Sequence, residues 1–146
     1  MNILVVEDRA AVSCYLTEAL ELEGHMVLAA YNISDAKDHW ARRRTMPIHC
    51  IIVDLNMPTD GLDQKQEGES HGGLLTGWLW LHDCVLPHVP AKYRQRVIIC
   101  SGFLADLEKL VRADKYQGIF LVDKHSPSSG AAKVLERVSA ISRLAD

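Results

Sequence analysis

Cys50-Ile51-Ile52-Val53 is a run of apolar residues that ends on Asp54, with Pro58 a few residues beyond. A short run without polar alternation suits a strand buried on both faces, and a proline cannot carry a sheet ladder onward. Asp54 is therefore expected at the carboxyl end of a buried strand. In a parallel α/β sheet that edge is where ligands bind, because the crevice between the loops opens there.

The rest of the chain repeats the pattern. Residues 2–6, 26–31, 97–100 and 119–122 read as further strands. The first helix carries Val12, Tyr15, Leu16, Ala19 and Leu20 at helical spacing and ends at Gly24. The second turns Ile33, Ala36 and Trp40 to the core, with Asn32 or Ser34 as its cap. Its exposed end, Arg42-Arg43-Arg44, suits the negative pole of the helix dipole. A third helix starts near Gly73 and is apolar nearly all round as far as Leu86, where Pro87 and Pro90 break it. Trp78 shares a face with Leu75, Leu79 and His82, whereas Trp80 lies with Thr76 and Asp83. One tryptophan should face the sheet, and the other should be covered by the preceding loop or left for a partner. A fourth helix spans 103–113 with Leu104, Leu107 and Val111 on one side. A fifth starts at Ser126-Pro127 and carries Val134, Val138, Ile141 and Ala145. Five strands alternating with five helices predict an α/β fold: a doubly wound, five-stranded parallel sheet of order 2-1-3-4-5 with helices on both faces.

At 146 residues the chain fits one domain, 1–146, able to bury a core without disulfides or metal. No segment is long and apolar enough for a bilayer and no leader pattern opens the chain, so a cytoplasmic protein is expected. Cys14, Cys50, Cys84 and Cys100 have no C-x-x-C spacing and read as buried free thiols. A net charge of -3 leaves no basic footprint for nucleic acid. That charge has a single source. Residues 59–73 hold Asp60, Asp63, Glu67, Glu69 and one Lys65, together with Gly61, Gly68, Gly72 and Gly73. Such composition predicts a flexible acidic loop, with a lid or partner-docking element as the other reading. A metal site built from His71, His82, Cys84 or His88 would lack any tight ligand motif.

Polar residues recur where the strands end: Glu7 and Asp8, then Asp54, Ser101 and Lys124. Three carboxylates at one edge repel each other unless a cation neutralises them, and a hard divalent ion such as Mg²⁺ suits carboxylates plus a phosphoryl oxygen. With a lysine and a hydroxyl beside them, they outline a phosphoryl-transfer pocket in which Asp54 is the nucleophile.

In Ile3-Leu4-Val5-Val6-Glu7-Asp8, Val53-Asp54-Leu55-Asn56-Met57-Pro58, Ile99-Cys100-Ser101-Gly102 and Val122-Asp123-Lys124, the chain resembles the response-regulator receiver domains of two-component signalling over nearly its whole length. The resemblance implies a flavodoxin-like fold. It implies that Asp54 accepts a phosphoryl group from a histidine kinase or phosphotransfer protein. Asp8 and Asp54, with the Asn56 main-chain carbonyl, would bind Mg²⁺, Glu7 would act through metal-bound water, and Ser101 and Lys124 would contact the phosphoryl oxygens. The product is a switched affinity for a downstream protein rather than enzymatic turnover, beyond self-phosphorylation and slow autodephosphorylation. A homodimer through the fourth helix, fifth strand and fifth helix is one arrangement the resemblance allows.

The chain departs from the family pattern in three places. Leu121 stands where the family has an aromatic switch residue, and Phe120 falls on the opposite strand face. His125-Ser126 separate Lys124 from Pro127. The segment after the third strand is long, so that Gly61 or Gly77 can serve as the family's loop glycine; the helical pattern starting near Gly73 favours Gly77. Asn56 argues against a haloacid-dehalogenase-type phosphatase, which needs a second acid at that place as general acid. A receiver-like module that binds partners independently of phosphorylation is the remaining alternative.

Overall fold

The computed structural model describes residues 1–102, 109, 117–124 and 130–145. The described elements run β1 (Asn2–Val6), α1 (Ala10–Leu22), β2 (Met26–Ala30), α2 (Ile33–Ala41), β3 (Cys50–Val53), α3 (Gln64–Glu69), α4 (Thr76–Trp80), β4 (Val97–Ser101), β5 (Phe120–Asp123) and α5 (Gly130–Ala145). The strands form one parallel sheet in the order β2-β1-β3-β4-β5, as the sequence predicts. Apart from residue 109, the helix expected over 103–113 lies outside the described residues, as does the helix start at Ser126-Pro127, with His125.

Alternate residues of the central strands feed two cores. Leu4, Val6, Ile51, Val53, Val97 and Ile99 pack with Ile33 and Ala36 of α2 and with Trp78 and Trp80. Ile3, Val5, Ile52, Ile98 and Val122 pack with Leu16 and Leu20 of α1 and with Val134, Val138 and Ile141 of α5. Leu121 falls on the first side and Phe120 on the second, so the two do lie on opposite faces. Asn32 is the cap of α2, its side chain accepting from Asp35 N–H at 2.8 Å.

Several expectations change. Tyr15 points outward from α1, 57% exposed, and Ala145 is exposed at the end of α5. Cys50 and Cys100 are buried, but Cys14 is exposed and Cys84 half-buried. Arg43 is not part of a solvated helix end: its guanidinium lies 4.4 Å from the centroid of the Trp40 ring, and its Nη1 donates to the Trp40 carbonyl at 2.8 Å. The expected long third helix is α4 followed by a wider π turn at Leu81–Val85 and a 3-10 turn at Leu86–His88 that contains Pro87. A second 3-10 stretch, Ala91–Arg96, leads into β4.

The largest correction concerns 59–73, which is folded rather than a flexible loop. Asp63 and Gln66 form a reciprocal capping box on α3: the Asp63 carboxylate accepts from Gln66 N–H at 2.7 Å, and the Gln66 side-chain oxygen accepts from Asp63 N–H at 3.1 Å. A cap contributes about 1 kcal/mol, too little to hold one helical turn alone. Docking supplies the rest. Gln66 Nε2 donates to Asp83 at 2.7 Å, Leu62 packs on the first core, and Ser70 is buried with its hydroxyl bonded to the Glu67 carbonyl. Both tryptophans are buried in consequence: Trp80 reaches the core, and Trp78 and Leu79 border the segment's Gln66 and Glu69. Gln66→Ala is expected to accelerate amide hydrogen exchange across 63–70 by an order of magnitude or so, in line with about 1–2 kcal/mol of lost local stability. Exchange at the wild-type rate would mean that the apolar contacts alone hold α3.

Candidate functional site

Three of the residues at the carboxyl edge of the sheet are each held by one further rung of the parallel ladder. Glu7 N–H donates to the Ala30 carbonyl at 3.0 Å, Asp54 N–H to Val6 at 2.9 Å, and Lys124 N–H to Ser101 at 3.1 Å. Their backbones are therefore fixed by the sheet, although the residues sit just past the strands. From the other side Gly77, in the first turn of α4, donates its N–H to the Leu55 carbonyl at 3.1 Å and packs its bare Cα against the Asp54 carbonyl.

The side chains converge. Glu7, Asp8 and Asp54 each present a carboxylate oxygen, and these atoms lie within 4.8 Å of one another. Glu7 and Asp54 are 3% and 6% exposed. Lys124 Nζ donates to Glu7 Oε2 at 2.7 Å and to Asp54 Oδ2 at 3.0 Å. Arg9 N–H donates to the other Glu7 oxygen at 3.1 Å, and Asn56 N–H approaches Asp54 Oδ1 at 3.4 Å. Ser101 is fully buried at the end of β4, opposite Asp123 in register. Glu7, Asp54 and Lys124 also border a cavity of about 320 Å³ that runs down between α1 and α5 past Val12, Leu16 and Val134.

One ammonium cannot balance three carboxylates. Burial pushes the Glu7 carboxyl up from its ordinary value, and the neighbouring Asp54 charge adds to this while the Lys124 hydrogen bond opposes it. For Lys124, burial alone would depress the amine. The hydrogen bond to Glu7 and the charge of Asp54 outweigh that and leave it raised. Stability contributed by Glu7's proton is therefore present at low pH and lost as pH rises through the raised value, whereas Lys124 contributes until pH exceeds its own. Lys124→Met should then lower stability at neutral pH without divalent cation by about 2–3 kcal/mol, because two buried acids lose their counter-ion. The deficit should shrink as pH falls and Glu7 takes up a proton. Urea titrations in EDTA across pH check this, and an unchanged midpoint at neutral pH would show that the acids are not coupled through Lys124.

The donor set fits a hard divalent cation. It is all oxygen, it carries excess negative charge, and Asp8 Oδ1 is buried with no hydrogen-bond partner among the described residues. The five residues expected from sequence to converge are thus at one edge, Asn56 adjoins them as an exposed residue, and the wider set His71, His82, Cys84 and His88 forms no ligand cluster among the described residues. Sequence reasoning missed Arg9. Its contribution is a backbone N–H, for which no side-chain signal exists.

No protein-family model matches the sequence, and no curated protein is recognisably similar to it. Solved structures are. The chain is similar to the non-phosphorylated HemR receiver domain from Leptospira biflexa, with TM-score 0.63 and 20% identity over 96% of this chain and 92% of that one. It is similar to the receiver domain of the Francisella response regulator 1452, with TM-score 0.63 and 17% identity over 99% and 98%. It is also similar to the BeF3-activated N-terminal receiver domain of Klebsiella pneumoniae RstA, with TM-score 0.65 and 16% identity over 96% and 97%. The chain has the receiver-domain fold.

Proposed function

We propose that this chain is a phosphoacceptor receiver domain of a two-component phosphorelay, working in the cytosol. Asp54 takes a phosphoryl group from a histidine kinase or phosphotransfer protein, and the modified form binds a downstream protein. The observation that carries this reading is the convergence of Glu7, Asp8 and Asp54 within 4.8 Å, with Lys124 bonded to two of them, on a receiver-type sheet. A carboxylate oxygen of Asp54 attacks phosphorus, the bond to the donor's leaving group breaks, and the leaving group carries away the electron pair. Lys124 supplies positive charge for the transferred oxygens and Ser101 a hydroxyl donor. Asp8 and Asp54, with the Asn56 carbonyl and Glu7 through water, would hold Mg²⁺, which offsets the negative charge that builds up when a phosphoryl group meets these acids. No other substrate is turned over.

Switching would run through the buried Ser101 and the adjoining β4 and β5. Leu121 offers no aromatic ring to swing, and the readout at that position is then a packing change. The test is intact mass after Mg²⁺ and acetyl phosphate, wild type beside Asp54→Asn. Beryllofluoride, the activator in the RstA structure, should bind wild type by the same carboxylate.

A further inference from the structure

The opposite edge of the sheet, where β3 and β4 begin, holds a second cavity of about 310 Å³ that phosphoryl transfer leaves unused. Cys50 stands four residues before Asp54 along the same strand, so the two sites are about 13 Å apart. The charge of this cavity runs against that of the chain. Arg43, Arg96, His49 and His88 line it, no carboxylate does, and the whole protein carries -3. Neither arginine forms an ion pair with an acid among the described residues.

Of its two aromatic walls, Trp40 is held and Tyr93 is an exposed ring with Lys92 and Arg96 over it. Trp40 Nε1 donates to the Cys84 carbonyl of the π turn at 3.0 Å, which holds the indole in place. Arg43 lies over that ring, and the Arg96 guanidinium is 4.8 Å from the centroid of the Tyr93 ring. Stacking engages the flat face of a guanidinium and leaves its in-plane N–H groups for acceptors; in Arg43 one of them serves the Trp40 carbonyl at 2.8 Å, and the others are left for a ligand. His49 adds a donor. Its Nδ1 accepts the Asn2 N–H at 2.9 Å, so the ring proton sits on Nε2, and burial holds the imidazole below its ordinary range and therefore neutral. The interior between the two aromatics is apolar, from Ile48, Ile51, Val89 and Val97.

Arginine forks, one held and one exposed aromatic ring, and an apolar floor select together for a flat body with an anionic group. The volume is at the small end for ligand pockets, enough for a single ring system. We propose that this cavity binds a small planar organic anion, an aromatic ring bearing a carboxylate or phosphate, with the ring beside Trp40 and Tyr93 and the anion on Arg43 and Arg96.

Calorimetric titration of the full chain at physiological ionic strength, with 1-naphthoate, adenosine monophosphate and inorganic phosphate as probes, tests it. At least one aromatic anion should bind saturably and change tryptophan emission, which reports Trp40 because it lines the cavity and Trp78 and Trp80 do not. Whichever binds tells carboxylate from phosphate. The double variant Arg43→Gln/Arg96→Gln should weaken that binding by about tenfold or more. Both positions lie outside the two cores, so it should fold, and circular dichroism checks that. If it does not, the emission change in wild type still decides. Failure of both aromatic anions to bind, binding without an emission change, or undiminished binding to the folded double variant overturns the site. Inorganic phosphate binding as tightly as the aromatic anions overturns the planar ligand.

Discussion

Asp54→Asn is expected to abolish acyl-phosphate formation while leaving the fold intact. The nucleophile in the proposed reaction is a carboxylate oxygen, and an amide of the same shape has no comparable oxygen to offer. The structural cost should be small. The substituted amide keeps a carbonyl that can accept from Lys124, where Asp54 Oδ2 now accepts at 3.0 Å, and the backbone at this position stays tied to Val6. Removing one of three crowded charges offsets part of what Lys124 loses, so stability should change by no more than about 1 kcal/mol. Intact mass after incubation with Mg²⁺ and acetyl phosphate should therefore show one phosphoryl group on wild type and none on the variant. The group should be removed by hydroxylamine, as an acyl phosphate is and a serine ester is not. Modification of Asp54→Asn at the wild-type rate would place the nucleophile elsewhere. A folded, Mg²⁺-supplied wild type that stays unmodified would support the phosphorylation-independent module instead, with the docked α3 segment as the first surface to probe.

What could be read in advance follows the range of the forces involved. Strand order and the edge carrying the acids were legible because uninterrupted apolar runs such as Cys50–Val53 force burial on both faces, and parallel crossovers leave few arrangements. Each acid then follows a strand end by simple counting. Residues 59–73 were misread because composition outweighed position: four glycines and four acids suggest disorder, yet Asp63-Gln64-Lys65-Gln66 has capping-box spacing and was there to be found. The anion cavity was not legible at all. The arginine triplet after α2 reads as a solvated helix end until the fold brings Arg43 onto Trp40 and sets Arg96 across the same opening. Nothing local in the sequence encodes that meeting. The meeting of Lys124 with the acids was legible from the strand ends, and only its direct bond to Glu7 as well as Asp54 had to come from the structure.

Gly77→Ala should be more damaging than alanine at any other glycine whose surroundings the structure describes. A Cβ at that position would lie 2.1 Å from the Asp54 carbonyl oxygen and 3.1 Å from Leu55 Cα. Neither is the end of a flexible side chain, and Asp54 cannot retreat without breaking its rung to Val6. Helix α4 must move instead, taking Trp78 and Trp80 out of their contacts with the sheet. Overpacking of this severity costs about 3 kcal/mol or more, roughly a 10 °C fall in melting temperature for a domain of this size. The effect on function should be separable from the effect on stability. Well below the melting point, where the variant is still folded, phosphorylation of Asp54 should be slowed, because the backbone that aims its carboxylate has been displaced. Gly68→Ala provides the contrast. A Cβ there meets nothing within 4 Å, the backbone is helical, and alanine should be neutral or stabilising by up to about 1 kcal/mol. If Gly77→Ala melts within a degree or two of wild type, helix α4 has slack that the contact with Asp54 denies, and the positioning of Asp54 must come from the ladder alone.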